Sequence, residues 1–214
     1  ESMSKPKKNT IDPENIIAIY GADAARLFIL SDSPPEKDVQ WSEEGISSSF
    51  KFVQKLWNLN EKITEQINKN HKEDTDEELI KYTNKFLKKI TENLENFSYN
   101  KIVANLHEMY SHVTKLISNN YKKETLTENY QKILVSMQPV LPHFSSECLE
   151  LMDLKNFKWP EYDDELTKDE KINLVVQVNG KKRGLISLDP DKNEEEILEI
   201  IRNDKQIVKY LLNN

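Results

Sequence analysis

Between Gly45 and about Asp153, apolar residues recur at the spacing of a helix face, stretch after stretch. Ile46, Phe50, Val53, Trp57, Ile63 and Ile67 form a first stripe, and Leu79, Tyr82, Phe86, Ile90 and Leu94 a second. Ile102, Leu106, Met109, Val113 and Leu116 give a third, and Tyr130, Ile133, Leu134 and Met137 a fourth. Each stripe can bury only against another, and the polar connections are short, apart from a polar loop expected over 68–76. That pattern predicts an antiparallel helical bundle. Pro139 and Pro142 interrupt it before a last short helix through Leu149 and Met152.

The two ends of the chain read differently. Asp12-Pro13-Glu14 is a helix start: Asp12 can accept orphan N–H groups, and Pro13 at the first position needs no N–H of its own. That helix should reach Tyr20, with Gly21 left-handed behind it, and a second should cover 22–31. Ser42 before two glutamates looks like a further N-cap. At the other end, "INLVVQVNGKKRGLISL" is rich in β-branched residues around Asn179-Gly180, the preferred centre of a type I′ hairpin turn. This places Val178 opposite Lys181 and Val176 opposite Arg183. Asn193 should cap a helix opening on three glutamates, and a shorter helix should follow Asp204. The fold expected is mainly α: a helical bundle with a small C-terminal α+β domain. The boundaries expected are 1–44, 45–155 for the bundle, 156–171 for a charged linker, and 172–214 for the small domain.

Composition excludes several classes of function. The four glycines are scattered, so no glycine-rich phosphate loop or dinucleotide fingerprint is present. One cysteine, Cys148, excludes an internal disulfide and a cysteine-based zinc site, and it suits a reducing cytosol. It lies on an apolar helix face and is expected in the core. No apolar run approaches the roughly 18 residues of a membrane span. His107 and His112 superficially resemble a zinc-protease pair, but five residues set them about 140° apart around a helix, so no metal site is expected. His143, between Pro142 and Phe144, is expected to be packed or capping. The net charge of −7 confines any nucleic-acid contact to local patches. Two such patches stand out: Lys5, Lys7 and Lys8 before the first helix, and Lys181, Lys182 and Arg183 at the hairpin tip.

"MSKPKKNTIDPENIIAIYGADAARLFIL" resembles the KMSKS signature of the class I aminoacyl-tRNA synthetases, with the helices that follow it. "SDSPPEKDVQWSEEGISSSFKFVQKLWN", the Tyr99–Val103 stretch, "QPVLPHFSSECLE" and "WPEYDDELTKDEKINLVVQVNGKKRGLI" resemble the bacterial leucyl-tRNA synthetase family, in order along nearly the whole chain. The resemblance implies the C-terminal portion of a leucine–tRNA ligase, with the nucleotide-binding and editing domains upstream and a last strand downstream. The full-length protein would activate leucine with ATP, accompanied by magnesium, and esterify it to tRNA(Leu); the fragment alone would be inactive. The bundle would be of the anticodon-binding type. The resemblance also implies a cytoplasmic monomer in which Lys5 is catalytic and Met3, Ser4 and Lys5 contact ATP. It places the small domain against tRNA, where Lys181, Lys182 and Arg183 would touch the backbone. Two residues depart from the signature: Ser2 stands for its first lysine and Pro6 for its serine. Pro6 offers no N–H and restricts Lys5 to extended geometry. The rival expectation is a stand-alone, non-catalytic tRNA-binding or protein-interaction module.

Overall fold

The computed structural model describes residues 7, 10–31, 34, 37–69, 76–154, 158–168, 172–189 and 192–211. It divides into two compact units, Glu1–Thr167 and Lys168–Asn214. The first unit opens with α1 (Pro13–Tyr20) and α2 (Ala22–Ser31). Asp12 caps α1, its Oδ1 accepting the Glu14 N–H at 3.1 Å, with Pro13 in the first turn. Gly21 ends α1 as expected but by a different geometry. Its φ of 82° is positive, while ψ is 157°, so it occupies the extended mirror region and not the left-handed helical one. That region is essentially restricted to glycine.

Four long helices form the bundle: α3 (Glu43–Lys69), α4 (Glu77–Glu95), α5 (Tyr99–Leu116) and α6 (Lys123–Met137), followed by α7 (Pro142–Leu151). Ser42 starts α3, its Oγ accepting the Gly45 N–H at 3.1 Å. The third and fourth stripes are buried as their spacing predicts, and so are Leu79, Phe86 and Ile90 of the second. The first stripe needs correction. Phe52, Leu56, Leu59, Ile63 and Ile67 point α3 into the main core, whereas Phe50 packs sideways on a separate cluster of Ala24, Phe28 and Ile46, and Val53 touches both. Trp57 sits at the margin, edge-on to Phe144 with ring centroids 5.1 Å apart. The helix has two apolar faces because α2 and the bundle lie on different sides of it. Tyr130 crosses the core to donate its hydroxyl to Asn60 Oδ1 at 2.8 Å. No helix among the described residues is long and apolar enough to cross a membrane.

Helices α6 and α7 begin on residues that cannot cap them, Lys122 and Leu141. Distant acids supply the acceptors instead. Asp76 accepts the Lys122 N–H at 3.4 Å and the Thr125 hydroxyl at 2.8 Å. Asp23, on α2 and only 6% exposed, accepts the Phe144 N–H at 2.6 Å and the His143 N–H at 3.3 Å. One turn further along α2, Arg26 donates to the carbonyls of Pro139 (2.7 Å) and Val140 (3.2 Å). The charged stretch after Trp159-Pro160 is likewise tied to the bundle. Asp164–Thr167 forms a short helix, α8, against α4. Lys88 bridges to Asp164 at 2.7 Å, Asn84 Oδ1 accepts the Asp163 N–H at 2.7 Å, and the Trp159 indole donates to Thr91.

The second unit is a two-stranded antiparallel ribbon, β1 (Ile172–Val178) and β2 (Lys181–Leu188), with α9 (Glu194–Asn203) and α10 (Val208–Leu211). Asn179 and Gly180 take φ values of 53° and 72°, both positive as a type I′ turn requires. Asn193 caps α9 in a reciprocal box with Glu196, each bond 3.0 Å. Val176, Ile186, Leu188 and Ile207 form its small core.

Gly21 provides a test of backbone strain separated from packing. A Cβ added there would meet no atom within 4 Å, so any cost of Gly21→Ala comes from its φ and ψ alone. Chemical denaturation should show a loss of about 1–3 kcal/mol, the range for a residue held in such a region. A wild-type midpoint would refute this account.

Candidate nucleic-acid interface

The hairpin is the described element that gathers positive charge at one point. Val178 pairs with Lys181 as expected, but the register then shifts: Gln177 pairs with Lys182 and Val176 with Gly184. Arg183 is therefore the extra residue of a β-bulge, and the expected Val176–Arg183 pair does not form. Packing just ahead of α10 is close at this register. A Cβ on Gly184 would lie 2.6 Å from Ile207 Cδ1 and 2.7 Å from its Cγ1, so a larger residue opposite Val176 would require the Ile207 side chain to shift. The bulge takes Arg183 out of the alternation. Its guanidinium folds back over the Tyr210 ring, Cζ lying 4.2 Å from the centroid, with Lys209 Nζ 5.2 Å from the same centroid. Arg183 Nε is buried and has no hydrogen-bond partner.

Lys181 and Lys182 are exposed, and Arg183 is half-buried. Among the described residues, no carboxylate lies within ion-pair distance of Lys181 or Lys182, whereas Lys192 is drawn to Glu196 at 3.7 Å. Three acidic residues of the second unit, Glu194, Glu195 and Glu196, instead crowd the first turn of α9, where they face the positive helix end. The tip thus combines two exposed ammonium groups with a guanidinium braced on an aromatic ring. Such an arrangement suits the oxygens of a phosphate or sugar backbone, contacted without base readout. Tyr210, the only aromatic residue in 172–214, belongs to no motif and lies on no periodic stripe. Its solitary place in a charged tail is the one signal the sequence offers for it.

Met3, Ser4, Lys5 and Lys8 lie outside the described residues, and Lys7 is exposed. The histidines divide as their spacing suggests. His107 stacks on Phe52 of α3 with centroids 3.7 Å apart, and His112 on Tyr82 of α4 at 4.0 Å. The two imidazoles serve different neighbours, and among the described residues no group of three or more His, Cys, Asp or Glu could hold a metal ion. Burial holds both imidazoles below the usual histidine value. Of the two places expected for His143, packed or capping, the ring is not packed but lies beside the carboxylate that caps α7. Its side chain is 73% exposed, with Nδ1 2.9 Å from Asp23 Oδ1. Cys148 is wholly buried, and burial pushes its thiol up to about 12.

Known proteins complete the picture of what kind of chain this is. Residues 76–199 match the family described as the anticodon-binding domain of tRNA ligase, and residues 1–42 match the class I tRNA synthetases of the I, L, M and V group. The chain belongs to the anticodon-binding domain family of the tRNA ligases. Within that class, the relatives it resembles are leucine–tRNA ligases. It is 35% identical to the enzyme of Orientia tsutsugamushi over 99% of this chain and 25% of the relative. It is 36% identical to that of Fervidobacterium nodosum over 91% of this chain and 25% of the relative. The chain therefore spans about a quarter of the length of the curated relatives it matches. A crystal structure of a ternary complex, LeuRS of Agrobacterium radiobacter K84 with tRNA and LeuAMS, shares the fold. Its TM-score is 0.79 at 20% identity, covering 98% of this chain and 28% of the other.

Two solution measurements follow from these environments. Folding lowers the pKa of His107 and His112, so their contribution to stability is present above the unfolded value of about 6.5 and is lost as pH falls through the folded values. Thermal midpoints should drop on acidification below about pH 6.5, less steeply in the His107→Phe, His112→Phe double variant. An unaltered slope in that variant would reject the assignment. Cys148 should resist iodoacetamide at pH 8 in the folded protein and react once urea unfolds it; rapid native alkylation would contradict its burial.

Proposed function

We propose that this chain supplies the lysine loop and the tRNA-binding parts of a leucine–tRNA ligase. The ordered match of residues 1–42 to the class I synthetases and 76–199 to the anticodon-binding family carries this reading. In the full-length protein, a leucine carboxylate oxygen attacks the α-phosphorus of ATP and pyrophosphate leaves, forming leucyl-adenylate. A terminal ribose hydroxyl of tRNA(Leu) then attacks the leucyl carbonyl carbon, AMP leaves, and the ester forms. Lys5, with Met3 and Ser4 beside it, contacts the triphosphate, and its ammonium offsets the charge that develops as pyrophosphate departs. Magnesium accompanies ATP. The protein acts as a cytoplasmic monomer, and residues 1–214 alone do not catalyse the reaction.

The bundle and the hairpin tip each contact tRNA. Lys181 and Lys182 neutralise backbone phosphates, while Arg183, held by Tyr210, sets the direction from which the tip approaches. A stand-alone binding module would share this surface but would not need Lys5.

Both halves of the proposal are open to measurement in the full-length protein. Lys5→Ala should lower leucine-dependent ATP–pyrophosphate exchange by about 10²-fold or more, the scale of losing one group that stabilises developing charge. An unchanged exchange rate would rule out that role. Replacing Lys181 and Lys182 by alanine should weaken filter binding of tRNA(Leu). It should also flatten the log–log salt dependence by about 0.9 for each duplex phosphate no longer neutralised, with exchange intact. Binding that keeps its affinity and slope would leave the tip as a solubility device.

A further inference from the structure

The two family-matched segments, 1–42 and 76–199, meet through charged groups at the turn between α6 and α7. Helix α2 belongs to the first segment; Pro139, Val140, His143 and Phe144 belong to the second. From one face of α2, Asp23 presents a carboxylate to the N–H groups that open α7. Three residues later Arg26 presents N–H donors to the carbonyls that follow α6. An anion thus meets backbone donors and a cation meets backbone acceptors, on either side of a single turn. Charge-assisted hydrogen bonds of this kind are strong and directional. Apolar contacts from Leu27 and Phe28 would tolerate a small slide or rotation of α2, whereas these four bonds would not.

The register of α2 sets that of what precedes it. Gly21 joins α2 to α1, and α1, which has no fully buried residue, rests on α2 and α3 through Ile16 and Tyr20. Asp12, at the start of α1, is seven residues from Lys5. We infer that Asp23 and Arg26 are positioning residues that hold the ATP-side segment in register with the tRNA-binding bundle, and so act in the transfer of leucine to tRNA. The inference rests on the function proposed above. Neither residue touches a reactant, so each half-function persists without them, and the combination of the two suffers.

The test uses the full-length enzyme with Arg26→Ala, Arg26→Lys and Asp23→Asn. Leucine-dependent ATP–pyrophosphate exchange and the Kd for tRNA(Leu) should stay at the wild-type level. Single-turnover transfer from preformed leucyl-adenylate to tRNA should slow about tenfold or more, since misplacement by about 1 Å costs up to about 10²-fold. Arg26→Lys should recover part of the rate, because an ammonium can still donate to the Pro139 carbonyl. Ile133→Val, which trims the core elsewhere, should lower the thermal midpoint without slowing transfer. Should Arg26→Ala not fold, the lysine and Asp23→Asn variants carry the test. Transfer at the wild-type rate in folded variants, or an equal fall in exchange and transfer, would overturn the inference. A wild-type enzyme without leucine-dependent exchange would instead overturn the proposed function, and the inference with it.

Discussion

The first unit depends on satisfying the backbone at the turn between α6 and α7. A helix leaves its first N–H and last C=O groups without partners, and burying them unpaired is costly. Leu141 precedes α7 and has no side-chain oxygen to offer, and the three residues before it are Gln138, Pro139 and Val140. Asp23 supplies the missing acceptor for α7, and from the same helix Arg26 donates to the turn carbonyls of Pro139 and Val140 that follow α6. Asp76 likewise supplies the acceptor for α6, whose own cap position is Lys122. These caps make tertiary structure out of what is ordinarily a local interaction, each worth roughly 1 kcal/mol in simpler settings.

That arrangement explains which features were legible in the sequence. Helices α4 and α5 have one apolar face each, so Leu106, Met109 and Val113 announce their own burial by spacing; α6 is buried all round over 133–137, so spacing marks Ile133, Leu134 and Met137 but not Val135. Helix α3 carries apolar side chains on two faces, and periodicity could not separate Phe50 from Phe52 and Leu56. Gly21 marks the end of α1 by residue type alone, but its conformation differs from the expected one because ψ depends on how α2 docks. Asp23 and Arg26 were visible as part of a family-like stretch. Their partners stand more than a hundred residues away, and no local rule connects them.

The small domain shows the same division. Asn179-Gly180 fixes the turn from its own chemistry, and Lys181 and Lys182 emerge where alternation places them. The bulge at Arg183 goes with a close approach of Ile207 to Gly184, made by a segment outside the hairpin. Tyr210 then determines where the guanidinium rests. A tip with two loosely held cations and one braced cation therefore owes its polarity to the sequence and its aim to packing.

The long reach of the Asp23 cap also bears on how the chain is made. Its partner at Phe144 lies 121 residues downstream. At the roughly 5–20 residues per second of protein synthesis, α2 waits about 6–24 s before the backbone it grips has been assembled. During that interval its apolar side, with Leu27 and Phe28, has α1, α3 and the nascent α5 to lie against, but not α7. Closing so large a loop is slow, and partly assembled chains with uncovered apolar surface aggregate. The joint on α2 thus cannot close until α7 has been made, and until then the chain carries apolar surface that chaperones and proteases can meet.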